Sequence, residues 1–163
     1  MKPEIVQSTR LNKLHPASSL LILGEDSDFL EGWKGRFSYW LAERGETTGQ
    51  GFTLKVDSCP RLIVGCRIKN TGGGGNFWGT KDFNVSGSKN KNGPWKTLLS
   101  EHLLQLPDGS TALIDFTFEE PVEVQFLKFD LISYWKYGGG LQYFAAIPAS
   151  KQHQSSKHDI IIK

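Results

Sequence analysis

Gly51-Phe-Thr-Leu-Lys-Val-Asp57 and Arg61-Leu-Ile-Val-Gly-Cys-Arg-Ile-Lys69 lead into Asn70-Thr-Gly-Gly-Gly-Gly-Asn76-Phe77-Trp78-Gly79, and Thr80-Lys-Asp-Phe-Asn-Val-Ser-Gly-Ser88 returns. Apolar residues alternate along both arms, the pattern of half-buried strands. The loop between them is too long and too rich in glycine for a tight hairpin. It carries Asn, Phe and Trp, the polar and aromatic groups that binding rims display on rigid scaffolds. A second loop of the same kind, Ser133-Tyr-Trp-Lys-Tyr-Gly-Gly-Gly140, lies further on, between the clear strand Val122–Ile132 and the closing strand Leu141–Ile147.

Working outward, Ala17–Gly24 and Ser38–Ala42 are predicted as strand-like, and Trp95–Leu99 as a short strand. Ser100–Leu104 reads as a brief helix or strand, and Thr111–Phe118 as a strand broken by Glu119-Glu-Pro121. Turn chemistry separates them at Lys89–Pro94 and Pro107–Ser110. Residues 1–16 read as an extended lead-in, 17–148 as one domain and 149–163 as a polar tail. Seven or eight short strands with turns between them predict an all-β sandwich or jelly roll.

The chain has 163 residues, the size of one domain, with 18 Gly, five Trp and 12% aromatics. Its net charge of +2 balances 19 basic against 17 acidic residues. That balance argues against nucleic acid as a bulk electrostatic partner, and the lysines at 89 and 91 read as a solvated turn. No apolar run approaches the roughly 18 residues of a membrane helix, and the N-terminus lacks a signal-peptide core. The expected location is therefore cytoplasmic, with a secreted module as the alternative. Cys59 and Cys66 would stand about 20 Å apart along a strand at about 3.3 Å per residue, too far for a disulfide.

Read in order, several pieces form a pattern. They are Tyr39-Trp40, Gly49-Gln-Gly-Phe-Thr-Leu54, Ile63 to Asn70, Thr80 to Ser88, Gly93-Pro-Trp95, Val124 to Leu131 and Gly140-Leu-Gln142. This pattern resembles the discoidin family, the coagulation-factor-type C domains of the galactose-binding-like superfamily. The strand ending in Ser, a turn and then Gly-Pro-Trp is its most specific element. The resemblance implies an eight-stranded jelly-roll sandwich whose loops at one end hold a sugar, a lipid head group or a protein, without catalysis. It also implies a structural calcium ion held by an early acidic loop and an acid near the closing strand. The early loop here offers Glu25, Asp26 and Asp28, and the closing Phe144-Ala-Ala-Ile147 carries no acid. Phe77-Trp78 stand where many sugar-binding members have a basic residue.

Among the residues themselves, Trp78 with Asn76 is the leading candidate for ligand contact. An indole stacks on a sugar's C–H face, and an amide both donates and accepts. The competing reading has Phe77 and Trp78 plugging the core. Trp135 and Tyr137 are spaced to share a face if extended, forming a second wall, a core stopper or a membrane-touching spike. Asn70 and Gln142 complete the hydrogen-bonding set. Trp40 and Trp95 are expected in the core, and Trp33 on an exposed turn. Glu25, Asp26 and Asp28 could ligate Ca²⁺ or form an ordinary solvated turn. Arg36, Arg44, Arg61 and Arg67 could each meet an anion, with Arg67 facing outward. His102 has no catalytic partner set, and the glycine loop lacks the Lys-Ser/Thr of a phosphate loop.

The expected function is therefore a non-catalytic, lectin-like binding module for a glycan or glycoprotein. The alternatives are a protein-interaction module forming a homo-oligomer, or a lipid head-group binder with peripheral membrane contact only.

Overall fold

The computed structural model describes residues 1–10, 17–21, 39–71, 78–104 and 112–150. Among them are nine strands: β1 (Glu4–Ser8), β2 (Trp40–Leu41), β3 (Gly51–Lys55), β4 (Arg61–Asn70), β5 (Asp82–Ser88), β6 (Lys96–His102), β7 (Leu113–Val124), β8 (Phe126–Leu131) and β9 (Gly140–Pro148). They form two antiparallel sheets, ordered β1-β3-β8-β5-β6 and β2-β9-β4-β7. The all-β sandwich expected from the alternation is what forms. Within the described residues no helix is long and apolar enough to cross a membrane.

The core follows from pleat parity. Phe52 and Leu54 of β3 lie opposite Phe129 and Leu127 of β8, and Val85 of β5 lies opposite Phe129 from the other side. The rings of Phe52, Phe129 and Phe83 form a stacked column, at 5.0 and 5.3 Å between centroids. Trp40 and Phe144 meet Phe52 edge-on from the second sheet. Such aromatic pairs add about 0.5–1.5 kcal/mol each beyond burial alone. Trp40 is fully buried, as expected, and its indole N–H donates to the Thr9 carbonyl. Cys66 is buried and free, Cys59 exposed and free.

Three local expectations are corrected. Ala17–Leu21 forms a 3-10 turn, with Ala17 and Leu20 packed into the core, in place of a strand. The lead-in supplies β1, an edge strand paired with β3. Of the two readings of Ser100–Leu104, the strand is the one that forms, with Ser100–His102 continuing β6. Pro121 does not break its strand, because among the described residues β7 is an edge strand that pairs only with β4. Proline's missing N–H is tolerated at such an edge. The register jumps from Gly65↔Thr117 to Ile63↔Val122, so Phe118–Pro121 bulge out of the ladder. The chain changes sheets at Gln125 instead, where Gln125 N–H donates to Ser88 and its carbonyl accepts from Val56.

Strands β4 and β5 belong to different sheets. The glycine-rich segment between them is therefore a crossover at one end of the sandwich. That topology places its return, residues 78–81, at this end, with Gly79 and Thr80 buried, Trp78 half-buried and Lys81 exposed.

Candidate functional site: the aromatic tip

Three stretches of chain meet at this end. Trp78 and Thr80 form isolated bridges with Gly138 and Tyr134. Gly79 N–H donates to Gly138 O at 2.9 Å, and Trp135 N–H returns to Gly79 O at 2.8 Å. The third stretch joins through Gly45 N–H to Tyr137 O and Ala42 N–H to Gly139 O, both 2.9 Å. The return of the first glycine-rich segment, residues 78–80, thus meets the second aromatic turn at one pole of the sandwich.

Asn70 holds this convergence together, and does not rim it. Its side chain is buried at the end of β4. The amide donates to Thr80 O at 2.9 Å, and its oxygen accepts from Thr80 N–H and Thr71 N–H at 3.0 Å. Thr71 Oγ1 donates to Trp78 O at 2.7 Å, and Thr80 Oγ1 to Gly140 O at 2.9 Å. The expectation of Asn70 as a ligand contact is corrected accordingly: its hydrogen-bonding capacity is spent on the backbone.

Gln142 is corrected too. It is only 1% exposed. The β4–β9 register passes from Lys69↔Tyr143 to Asn70↔Leu141, so Gln142 is the extra residue of a bulge. The bulge buries both Leu141 and Gln142, and both polar atoms of the Gln142 side chain lack a hydrogen-bond partner among the described residues.

Trp135 and Tyr137 do not form one wall. Lys136 adopts φ 58°, so the segment turns and strict alternation is lost. The Trp135 indole N–H donates to Leu103 O at 3.0 Å, and the Lys81 ammonium lies 4.9 Å from its ring centroid. Trp135 is a strut between the tip and the end of β6. Tyr137 stands apart, 44% exposed, with the Arg44 guanidinium 4.6 Å from its ring centroid. Arg44 is the residue that proximity adds to the site. The sequence marked it only as one of four arginines able to meet an anion.

Trp78 is half-buried, its ring packed over Gly138. Trp78 is not a member of the central cluster. Asn76, Phe77 and Trp33, and the acidic trio Glu25, Asp26 and Asp28, lie outside the described residues. Among the described residues no group of three or more His, Cys, Asp or Glu could hold a metal ion. Tyr39, buried beside β2, has its hydroxyl pushed up to about 12 by desolvation, so it stays neutral.

No protein-family model and no curated protein sequence matches the chain. Solved structures do. The family 32 carbohydrate-binding module of Clostridium perfringens NanJ, in complex with galactose, superposes with a TM-score of 0.61 at 14% identity, covering 89% of this chain and 91% of that one. The chain has the family 32 carbohydrate-binding-module fold. A module of a family 31 glycoside hydrolase from the same organism gives 0.62 at 12% identity, with coverage of 90% and 94%. A chitosan-binding module from Paenibacillus sp. IK-5, in complex with chitotriose, gives 0.59 at 15%, with coverage of 90% and 95%. The β-sandwich expected from the discoidin resemblance is thus the fold of this chain.

Proposed function

We propose that the chain is a non-catalytic carbohydrate-recognition module whose ligand seats on the tip. The observation that supports this most is the convergence of Trp78, Tyr137 and Arg44 on one pole, held there by buried backbone hydrogen bonds. A pyranose C–H face packs on the indole of Trp78. The Arg44 guanidinium donates to ring hydroxyls in its fixed fork, while Tyr137 orients it. Asn76 is the nearest further amide in sequence. Neighbouring modules of this fold are solved with galactose and with chitotriose, which favours a sugar over other ligands. An open rim leaves the ring partly wet, so single-site affinity is weak and gains from repetition.

A glycan array tests this, run with calcium and with chelator to probe Glu25, Asp26 and Asp28 at once. A marked fall in saturable binding in a Trp78→Ala, Arg44→Ala double variant is the expected result. Binding left undiminished by both changes refutes the tip as the site.

A second reading is an interface with a protein or a second copy. Leu104 and Ile132, 67% and 49% exposed, flank the same end of the sandwich and favour it. Light scattering over a concentration series, with Ile132→Lys as the control, separates the two readings.

A further inference from the structure

The outer face of the five-stranded sheet carries a cleft of about 270 Å³, separate from the aromatic tip. Its floor is set by parity. Phe52, Leu54 and Phe129 point into the core, so Thr53, Lys128 and Asp130 point out. Thr53 lies opposite Lys128, and Gln7 of β1 lies opposite Thr53. The far wall is the turn between β5 and β6, which contributes Lys91, Asn92 and Trp95.

Trp95 is the surprise of this region. Its Gly-Pro-Trp context predicts a core residue, yet it is half-buried here and walls the cleft. The Lys128 ammonium lies 5.6 Å from its ring centroid. The indole N–H of Trp95 and the amides of Gln7 and Asn92 make no hydrogen bond among the described residues.

Asp130 is poised in the same place. Burial lifts its carboxyl above the usual range, and Lys128, 3.9 Å away, offsets this only in part. A partly desolvated carboxylate on a sheet surface costs stability. Groups held at such a cost gather where ligands bind. An aromatic wall with a few convergent polar groups in a cleft is also the usual make-up of a small-ligand site.

We propose that this cleft is a second saccharide site, in which a pyranose ring packs against Trp95 and donates a hydroxyl hydrogen bond to Asp130, with Lys91, Asn92 and Gln7 supplying the outer donors. Two ammonium groups face one carboxylate, so a neutral or acidic sugar is accepted and an amino sugar repelled. The site stands whether or not the tip binds sugar.

Indole N–H resonances of the ¹⁵N-labelled full chain read the two places separately, with the Trp95 signal assigned by its loss in Trp95→Phe. Titration with galactose and with glucuronate should move the Trp95 signal saturably, in the native chain and in Trp78→Ala alike. Glucosamine should bind about tenfold more weakly or worse. Asp130→Asn should weaken glucuronate and galactose about tenfold, the loss of one charge-assisted bond, without lowering Tm. A Trp95 signal unmoved by both sugars overturns the proposal. So does a response abolished by Trp78→Ala, or affinity untouched by Asp130→Asn. Equal binding of glucosamine overturns the charge selection.

Discussion

The six-membered ring of Trp78 fills the space in which a side chain at Gly138 would stand. Two segments sixty positions apart in sequence are thereby locked together, and the lock depends on glycine having no Cβ. Gly138→Ala should push the indole aside at a cost of about 1–3 kcal/mol, the usual range for forcing atoms into a packed site. The chain should still fold, since the Phe52–Phe129–Phe83 column is distant from the change. Sugar binding at the tip should fall about tenfold or more. Unchanged Tm and unchanged binding together would show that Trp78 is not held by this contact.

Asn70 predicts the opposite balance of effects. Asn70→Ala strips the side-chain partner from the buried Thr80 carbonyl and from the Thr71 N–H, and leaves the Thr80 N–H only its longer bond to Gly140 O at 3.3 Å. An orphaned buried polar group costs about 1–3 kcal/mol, so a loss of about 3 kcal/mol is expected in denaturant titration. Any binding defect should follow from the displaced loop. Raising stability elsewhere in the chain should restore binding, which it could not do if Asn70 touched the sugar.

The strands were readable wherever one face is core and the other is wet. Phe52 and Leu54, Phe83 and Val85, and Leu127 and Phe129 alternate with polar neighbours because the pleat puts them on opposite faces. What escaped that reading depended on partners distant in sequence. Pro121 looks like a break until β7 is known to be an edge. Trp95 looks like core until its neighbours Lys128 and Asp130 are known to face outward. Asn70 and Gln142 look like rim residues because amides suit sugars. Burial decided both cases, through a buried backbone clamp for one and a bulge for the other. Arg44 could not be singled out from the other arginines, since its contact with Tyr137 spans more than ninety positions of chain. The convergence of the two aromatic loops was legible, because both are rich in glycine and each joins strands of the sandwich.

Gln142 offers a gain in stability. Its amide oxygen and nitrogen are both buried without a partner among the described residues, a burial that costs about 1–3 kcal/mol on mutational scales. Gln142→Met keeps the length of the side chain and removes both polar groups. Thermal unfolding should show an increase of about 1–2 kcal/mol. A decrease would mean that the amide is satisfied in solution by a group that Met cannot replace.

The exposed pair Arg67–Asp115 should contribute little despite its two-pronged geometry, at 2.6 and 2.9 Å. Both side chains are about half exposed, and solvent and salt screen such pairs to about 0–1 kcal/mol. A double-mutant cycle with Arg67→Ala and Asp115→Ala should give a coupling in that range, falling further at 1 M salt. A much larger value would point to a role for the pair in setting the β4–β7 register.

Asp57 should govern the acid limb of stability. Its carboxylate accepts from Arg61 Nε at 2.7 Å, from Ser58 N–H at 2.8 Å and from Lys2 N–H at 3.3 Å, tying the N-terminal approach to β1 to the turn before β4. The Arg61 hydrogen bond, helped by the Ser58 N–H, holds the carboxyl down to about 2. The folded chain therefore releases this proton more readily than the unfolded chain does. The stability from the carboxylate is fully present above the ordinary carboxylate range and is lost as pH falls through about 2. Asp57→Asn keeps one acceptor and cannot titrate. It should be less stable than the native chain by a constant amount at neutral pH, and the gap should close between about pH 4 and pH 2. Asp130 has the opposite sign, because burial raises its carboxyl. The stability linked to its protonated form is lost as pH rises, so Asp130→Asn should gain stability at neutral pH and show no gain in acid. Parallel unfolding curves for native chain and Asp57→Asn down to pH 2 would show that the Arg61 clamp does not persist in solution.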